Sequence, residues 1–288
     1  MLQAVRRFFE SEGFLEVDTP VVIPAPAPEA HIHAQAAGDG YLRTSPELCM
    51  KRLLAAGFAR IFQICKCFRC GERGRRHLPE FTLLEWYFTP GSYVEMMVQT
   101  EALVRAAAVG AGGGTSFTFQ GRAIDLGATW PRLTVARAFD RYGSISVDEA
   151  LAAGRFDEIM GIEIEPQLGW GQPVFLIDYP AACGSLARLK PTDFCLCERF
   201  ELYIGGVELC NAFSELTDPS EQRRRFEIEL ARRRRRGEPV TPMPEPFLEA
   251  LGRMPPATGN ALGVDRLVML LADAQAIDEV VAFTPEEL

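Results

Sequence analysis

Residues 61–87, IFQICKCFRCGERGRRHLPEFTLLEWY, constrain the fold most: two apolar, strand-like runs joined by a loop that holds Arg69, Arg73, Arg75, Arg76 and His77. Five cationic or cation-capable groups at the tip of a strand pair suit phosphate oxygens, because guanidinium forks match phosphate geometry and repel one another when unpaired. A solvated basic turn is the alternative.

At 288 residues the chain can bury one large core or two modest ones. Its net charge of -9 argues against a dedicated nucleic-acid binder, whose domains are usually basic, but leaves room for a local basic site. No apolar run approaches the roughly 20 residues needed to span a bilayer. The opening MLQAVRRFFESEGF lacks the apolar stretch and cleavage site of a signal peptide, so the expected compartment is the cytoplasm. Eight cysteines without a secretory signal point to reduced thiols. Cys65, Cys67 and Cys70, and the pair Cys195 and Cys197, lack the CxxC…CxxC layout of structural zinc sites, and Cys65 and Cys67 read as packing on one strand face.

Residues 1–12 carry an amphipathic helical pattern (Leu2, Val5, Phe8, Phe9) that stops at Gly13. FLEV reads as a short strand, and Pro20, Pro24, Pro26 and Pro28 keep the following run extended. YLRTSPEL leads into a helix whose first turn contains Pro46. Ser92 with Glu95 forms a capping box that opens a helix to about Val109, and the glycines from Gly110 to Gly114 end it as a linker. Further on, SFTF suggests a strand, residues 134–141 and 147–160 suggest helices, and Arg232 to Arg236 end an exposed helix with a solvated face. A docking patch for an acidic partner is the sharper reading of that run.

In FELYIGGVELCNAFSEL, 200–216, Gly205-Gly206 between β-forming runs signals a two-residue hairpin. That register pairs Ile204 with Val207, Tyr203 with Glu208 and Glu201 with Cys210. Glu201 and Glu208 then become diagonal neighbours on one face, where two carboxylates repel unless a cation such as Mg²⁺ sits between them. By simple alternation Asn211 and Glu215 face the other way, so one pocket for all four requires a bulge between Glu208 and Asn211. In TGNALGVDRLVMLLADA, Gly259 and Gly263 allow close backbone approach at the start of a helix, and Arg266 emerges in its first turns, where an anion is favoured.

GFLEVDTP, FRCGERGRRHLPEFTLLEWY and GNALGVDR resemble motifs 1, 2 and 3 of the class II aminoacyl-tRNA synthetases, in order, over nearly the whole chain. TSPE, LEWY, YPAACGSLARL and ELCNAFSELTD resemble the lysyl branch. The chain begins within motif 1, with no room expected for the anticodon-reading domain of a lysyl-tRNA synthetase, and in this it resembles the elongation factor P lysyltransferases, paralogues that modify a protein lysine. Ala261 stands where the tRNA enzymes usually carry glycine; the resemblance links it to preference for (R)-β-lysine over lysine, a contact worth about one to three kcal/mol.

The resemblance implies an α+β fold, a single catalytic domain over 1–288 with one antiparallel sheet flanked by helices, and a C2 homodimer built on motif 1. The apolar face of residues 2–9 also asks for a cover. It implies ATP and Mg²⁺ as cofactors. Arg69 and Arg266 would grip the phosphates as the catalytic arginines, and Phe81 would stack on adenine. Cys70, Gly71, Glu72, His77, Leu78, Glu208, Leu209 and Gly263 would complete the nucleotide site. Glu201 and Glu208 would hold the metal. Ser45, Pro46, Glu47, Glu85, Tyr87, Asn211, Glu215 and Ala261 would hold the lysine or β-lysine. Three positions depart from the family pattern: Arg69-Cys70-Gly71 for Arg-Asn-Glu, Leu78 for asparagine, and Ala212 for glycine. Losing one ligand hydrogen bond costs about 1 kcal/mol, which weakens ATP binding without abolishing activity. A freestanding synthetase acting on tRNA or another amine, and a non-catalytic lysine-sensing paralogue, are the alternatives.

Overall fold

A computed structural model describes residues 1–288. The first half of the chain contributes strands β1 (Leu15–Glu16), β2 (Val22–Ile23), β3 (Ala36–Ala37), β4 (Gly40–Leu42), β5 (Arg60–Phe68), β6 (Glu80–Phe88), β7 (Ser116–Phe119), β8 (Arg122–Asp125) and β9 (Arg132–Thr134). The second half adds β10 (Val174–Pro180), β11 (Leu189–Lys190), β12 (Asp193–Ile204), β13 (Val207–Ser214) and β14 (Thr258–Gly263). The helices are α1 (Leu2–Ser11), α2 (Glu47–Ala55), α3 (Tyr93–Gly110), α4 (Val135–Tyr142), α5 (Val147–Ala152), α6 (Phe156–Ile159), α7 (Pro219–Arg236), α8 (Glu245–Leu251) and α9 (Val264–Leu271).

The fold is α+β. Its main sheet has the order β1-β5-β6-β14-β13-β12-β10-β9, with β11 beside β12. From β5 to β10 every pair is antiparallel, as expected, but the two edges are not: β1 pairs with β5, and β9 with β10, in parallel. Helices intervene in both cases, α2 in the first and α4 to α6 in the second, and a crossover of that length is what parallel pairing requires.

Strand alternation divides the sheet into an apolar face and a polar one. Leu84, Trp86 and Phe88 of β6, and Phe200, Leu202 and Ile204 of β12, join the largest apolar cluster beneath α1, α3 and α9. The chain itself covers half of the apolar stripe of α1: Val5 and Phe9 are buried against its own sheet, and Phe9 stacks on Phe62 at 4.6 Å, while Phe8 is half-buried and Leu2 exposed. A side chain at Gly110 would meet Ala4 Cβ at 2.2 Å, so this glycine lets α3 lie close against α1.

The capping box at Ser92 forms, and a second closes between Ser146 and Glu149 at the start of α5. The helix expected over 147–160 is instead broken into α5 and α6 at Gly154, whose φ is +66°. Residues 258–263 are a strand, so Gly259 lies inside the sheet and only Val264 onward is helical. The run ending α7 is not wholly solvated either, because Arg233 is 2% exposed. Cys65 and Cys67 pack as expected, their Sγ atoms 3.8 Å apart, and all eight cysteines are free thiols.

Candidate active site

Gly205 and Gly206 take the positive φ values, 58° and 74°, that the tight turn between β12 and β13 needs. Ile204 pairs with Val207 and Tyr203 with Glu208; the register then slips, and Glu201 lies opposite Asn211 instead of Cys210. The slip is the anticipated bulge. Leu209 and Cys210 both enter the apolar cluster, so Glu208, Asn211 and Phe213 emerge on the polar face with Glu201.

Pairing then aligns residues from five strands. One row crosses the sheet as Gln63, Glu85, Ala261, Asn211 and Glu201. The neighbouring row runs Ile61, Tyr87, Gly259, Phe213 and Arg199. Segments far apart in sequence thus supply one polar floor.

At one end lies a pocket of buried carboxylates. Ser45 Oγ donates to Glu85 Oε1 at 2.5 Å and Tyr87 Oη to Glu85 Oε2 at 2.9 Å. Burial and then Glu47 push the Glu85 carboxyl well above its ordinary value. Lys51, absent from the sequence expectations, sits 2.5 Å from both Glu47 and Glu215, and its side chain is 1% exposed. Burial works against its charge, yet the two carboxylates outweigh it and raise the ammonium to about 12. One cation shared between two acids leaves Glu215 under-neutralised: burial lifts it to about 8, with Lys51 opposing and Glu47 adding. Glu215 Oε1 is buried and makes no hydrogen bond. The empty side of Gly259 faces it, since a Cβ there would lie 2.5 Å from that oxygen and 2.1 Å from Tyr87 Cε1.

At the other end Arg266 Nη1 donates to the Glu208 carbonyl at 2.7 Å and to Glu208 Oε2 at 3.2 Å, and Nη2 donates to His77 Nε2 at 2.6 Å. Burial and Arg266 lower His77 to about 4, so the imidazole is a neutral acceptor at Nε2 with its proton on Nδ1. It is not a fifth cation. Arg69 lies over the Phe81 ring at 5.0 Å, and its Nε is buried without a partner. Two expected nucleotide residues turn away: Leu78, in the loop before β6, is 4% exposed and Leu209, turned inward by strand alternation in β13, 1%, both inside the apolar cluster.

Between the two ends, Glu201 accepts from Tyr179 Oη and Tyr203 Oη at 2.6 Å each and from Arg199 Nη2 at 2.7 Å. Burial and then Glu208 and Glu201 raise Glu165, a neighbour the sequence did not suggest, to about 7. No three acidic, histidine or cysteine side chains stand close enough to cage a metal by themselves. The donor set fits magnesium delivered on a nucleotide, which needs one or two carboxylates plus phosphate oxygens. Glu208 offers Oε1, while Glu201 is already held by three donors.

The polar floor of the sheet thus carries arginines from a strand tip and a helix start at one end and a pocket of buried carboxylates at the other. The chain belongs to the class II tRNA synthetases: the model of the D, K and N group of that family matches residues 1–287. It is 40% identical over 308 residues to a lysine–tRNA ligase of Moorella thermoacetica, spanning 98% of this chain but only 63% of that protein. It is 39% identical over 300 residues to an elongation factor P–(R)-beta-lysine ligase of Edwardsiella ictaluri, spanning 99% of this chain and 92% of that protein. No helix is long and apolar enough to cross a membrane.

Proposed function

We propose that the protein activates lysine or (R)-β-lysine with ATP and transfers it to a lysine side chain of elongation factor P. The observation that carries this reading is the buried, unbonded Glu215 Oε1 beside Gly259, Tyr87 and Glu85, a place that favours a cationic group over a water-starved carboxylate. Similarity across 92% of an elongation factor P–(R)-beta-lysine ligase supports the acceptor.

In this reading the distal ammonium of the substrate enters among Glu85, Tyr87 and Glu215, and Arg69 Nε takes up its carboxylate or the α-phosphate. A carboxylate oxygen attacks the α-phosphorus; the bond to the bridging oxygen breaks and pyrophosphate leaves. Arg266 and the Nδ1 proton of neutral His77 receive the charge that gathers on the departing phosphates. Glu208, through Oε1, and Glu201 would hold Mg²⁺, which when bound neutralises that charge. The acceptor amine then attacks the carbonyl of the mixed anhydride, AMP departs, and the nitrogen loses a proton to form the amide. Catalysis rests on alignment and charge more than on covalent help. A two-fold dimer belongs to the same reading through the likeness to motif 1.

The test is ATP–pyrophosphate exchange with each lysine isomer, followed by transfer of labelled amino acid to elongation factor P and, separately, to tRNA. Isomer-dependent exchange with label on the protein is the expected result. Label on tRNA would reassign the acceptor, and absence of exchange would leave a binding module.

A further inference from the structure

The loop between β5 and β6 carries Arg69 at its base and His77 on its return, and its tip is held from two sides. On the inner side Arg76 Nη1 donates to the Gly206 carbonyl at 2.5 Å, and Arg266 Nε to the Arg76 carbonyl at 3.2 Å. Gly74 and His77 exchange backbone hydrogen bonds at 3.0 and 3.2 Å, which closes the tip into a tight turn.

On the outer side the tip meets the residues that follow α9. The Ile277 amide donates to the Arg75 carbonyl at 2.9 Å, and Arg75 Nη2 to the Gln275 carbonyl at 3.1 Å. Arg73 makes the strongest tie. Its Nε and Nη2 donate to the two carboxylate oxygens of Glu286, and its Nη1 and Nη2 to those of Asp278, all four at 2.9 Å. A guanidinium forked onto two carboxylates has no edge left for a phosphate, although Arg73 stands in the same basic run as Arg75 and Arg76.

Both acids stand on turns that are themselves fixed. Glu279 Oε1 accepts from the Gln275 and Ala276 amides at 2.9 Å, capping the turn that carries Asp278, and Ile277 is buried in the largest apolar cluster. Glu287 Oε2 accepts from the Thr284 amide at 2.7 Å and from its hydroxyl at 2.9 Å, capping the turn that carries Glu286. Acids held in this way lose less freedom on pairing than loose surface chains do. The nucleotide end of the floor feels the result through His77, which lies just beyond the clamped tip and meets Arg266 at 2.6 Å.

We propose that Arg73, Asp278 and Glu286 form a clasp that positions the β5–β6 loop around the nucleotide, with Arg73 a positioning residue and not a phosphate ligand. The inference rests on the proposed activation of an amino acid with ATP.

The experiment measures ATP–pyrophosphate exchange for wild type, Arg73→Gln, the double variant Asp278→Asn with Glu286→Gln, and the triple variant. A clasp and a phosphate ligand give opposite results for the double variant. If the acids hold the loop, neutralising them should raise KM for ATP by about three- to tenfold, as Arg73→Gln does, because each partly exposed pair is worth up to about a factor of five. The triple variant should be no worse than either, since the three groups act as a unit. KM for lysine should stay within about twofold, and trypsin should cut at Arg75 roughly three times faster or more in the double variant than in wild type. An Arg73 that served the phosphates would be freed by loss of the acids, so an unchanged or lowered KM for ATP in the double variant would overturn the proposal. Equal increases in both KM values, or an unchanged rate of cutting, would overturn it as well while leaving the activation reading intact. No exchange by wild type with any lysine isomer would overturn both.

Discussion

Replacing Lys51 by methionine tests the carboxylate pocket most directly. The ammonium sits 2.5 Å from Glu47 and 2.5 Å from Glu215, with side-chain exposures of 1%, 12% and 0%, so solvent screens neither contact. Methionine keeps the length of the stem and removes the charge. Breaking a buried pair by deleting one partner costs about 3–5 kcal/mol, because the remaining acids must be protonated or left charged in a poor solvent. At roughly 2–4 °C per kcal/mol for a chain of this size, the melting temperature should fall by about 6–20 °C. The loss must also depend on pH. Without Lys51 the folded-state pKa of Glu215 rises further above its unfolded value, so its favourable contribution is complete only below that value and disappears as pH climbs. Thermal unfolding of both proteins at pH 5.5 and 8.5 gives the answer: the gap between them should be wider at 8.5. A gap under about 1 kcal/mol, or one that is the same at both pH values, would refute the view that Lys51 is the counter-ion of this pocket.

Gly259→Ala places a methyl group against two buried side chains that have little room to move, Tyr87 and Glu215. Overpacking of this kind costs about 1–3 kcal/mol, and the exchange assay should show a raised KM for lysine with a smaller change for ATP; an unaltered lysine KM would sink the pocket assignment. Ala261→Gly removes the methyl that lies between Glu85 and Asn211 in the transverse row. It should shift the preference between lysine and (R)-β-lysine by about ten- to hundredfold in kcat/KM, and an unchanged ratio would remove Ala261 from the selectivity account. Glu215, raised from 4.5 to about 8, contributes stability to the ligand-free protein that is present below pH 4.5 and lost as pH rises through about 8. A bound ammonium favours the ionised acid, so lysine should raise the melting temperature more at pH 8.5 than at pH 6.5 and release protons on binding at pH 6.5, measurable by calorimetry in buffers of different ionisation enthalpy.

Much of this site could be read from residue patterns. The diglycine turn fixed which side Glu201 and Glu208 share, and the parity of Asn211 demanded a bulge that β13 does contain. Capping boxes located the starts of α3 and α5 because their hydrogen bonds are local in sequence. What could not be read depended on distant partners. Arg233 looks like one more charge in an exposed run, but it is buried where it donates to the backbone carbonyls of Glu29 and Ile32, distant in sequence from α7. Leu78 and Leu209 sit inside motifs that imply ligand contact, yet both pack inward, Leu78 from the loop before β6 and Leu209 by strand alternation in β13. Lys51 did leave a signal, standing one helical turn after Glu47 on α2, but a surface pair has the same spacing; Glu215, the partner that makes it a buried triad, lies just past the end of β13, far away in sequence.

The surplus residue in β13 also sets how this chain can change in length. Glu208 and Glu215 are an odd number of positions apart, a spacing that on an unbroken pleat sends two side chains to opposite sides. Losing Leu209 would straighten the ribbon and leave its neighbours facing as they do, whereas gaining one more residue between Cys210 and Glu215 would rotate either Asn211 or Glu215 into the oily layer under α3. The two ends of the floor are thus joined by a segment that can shed a residue but cannot absorb another.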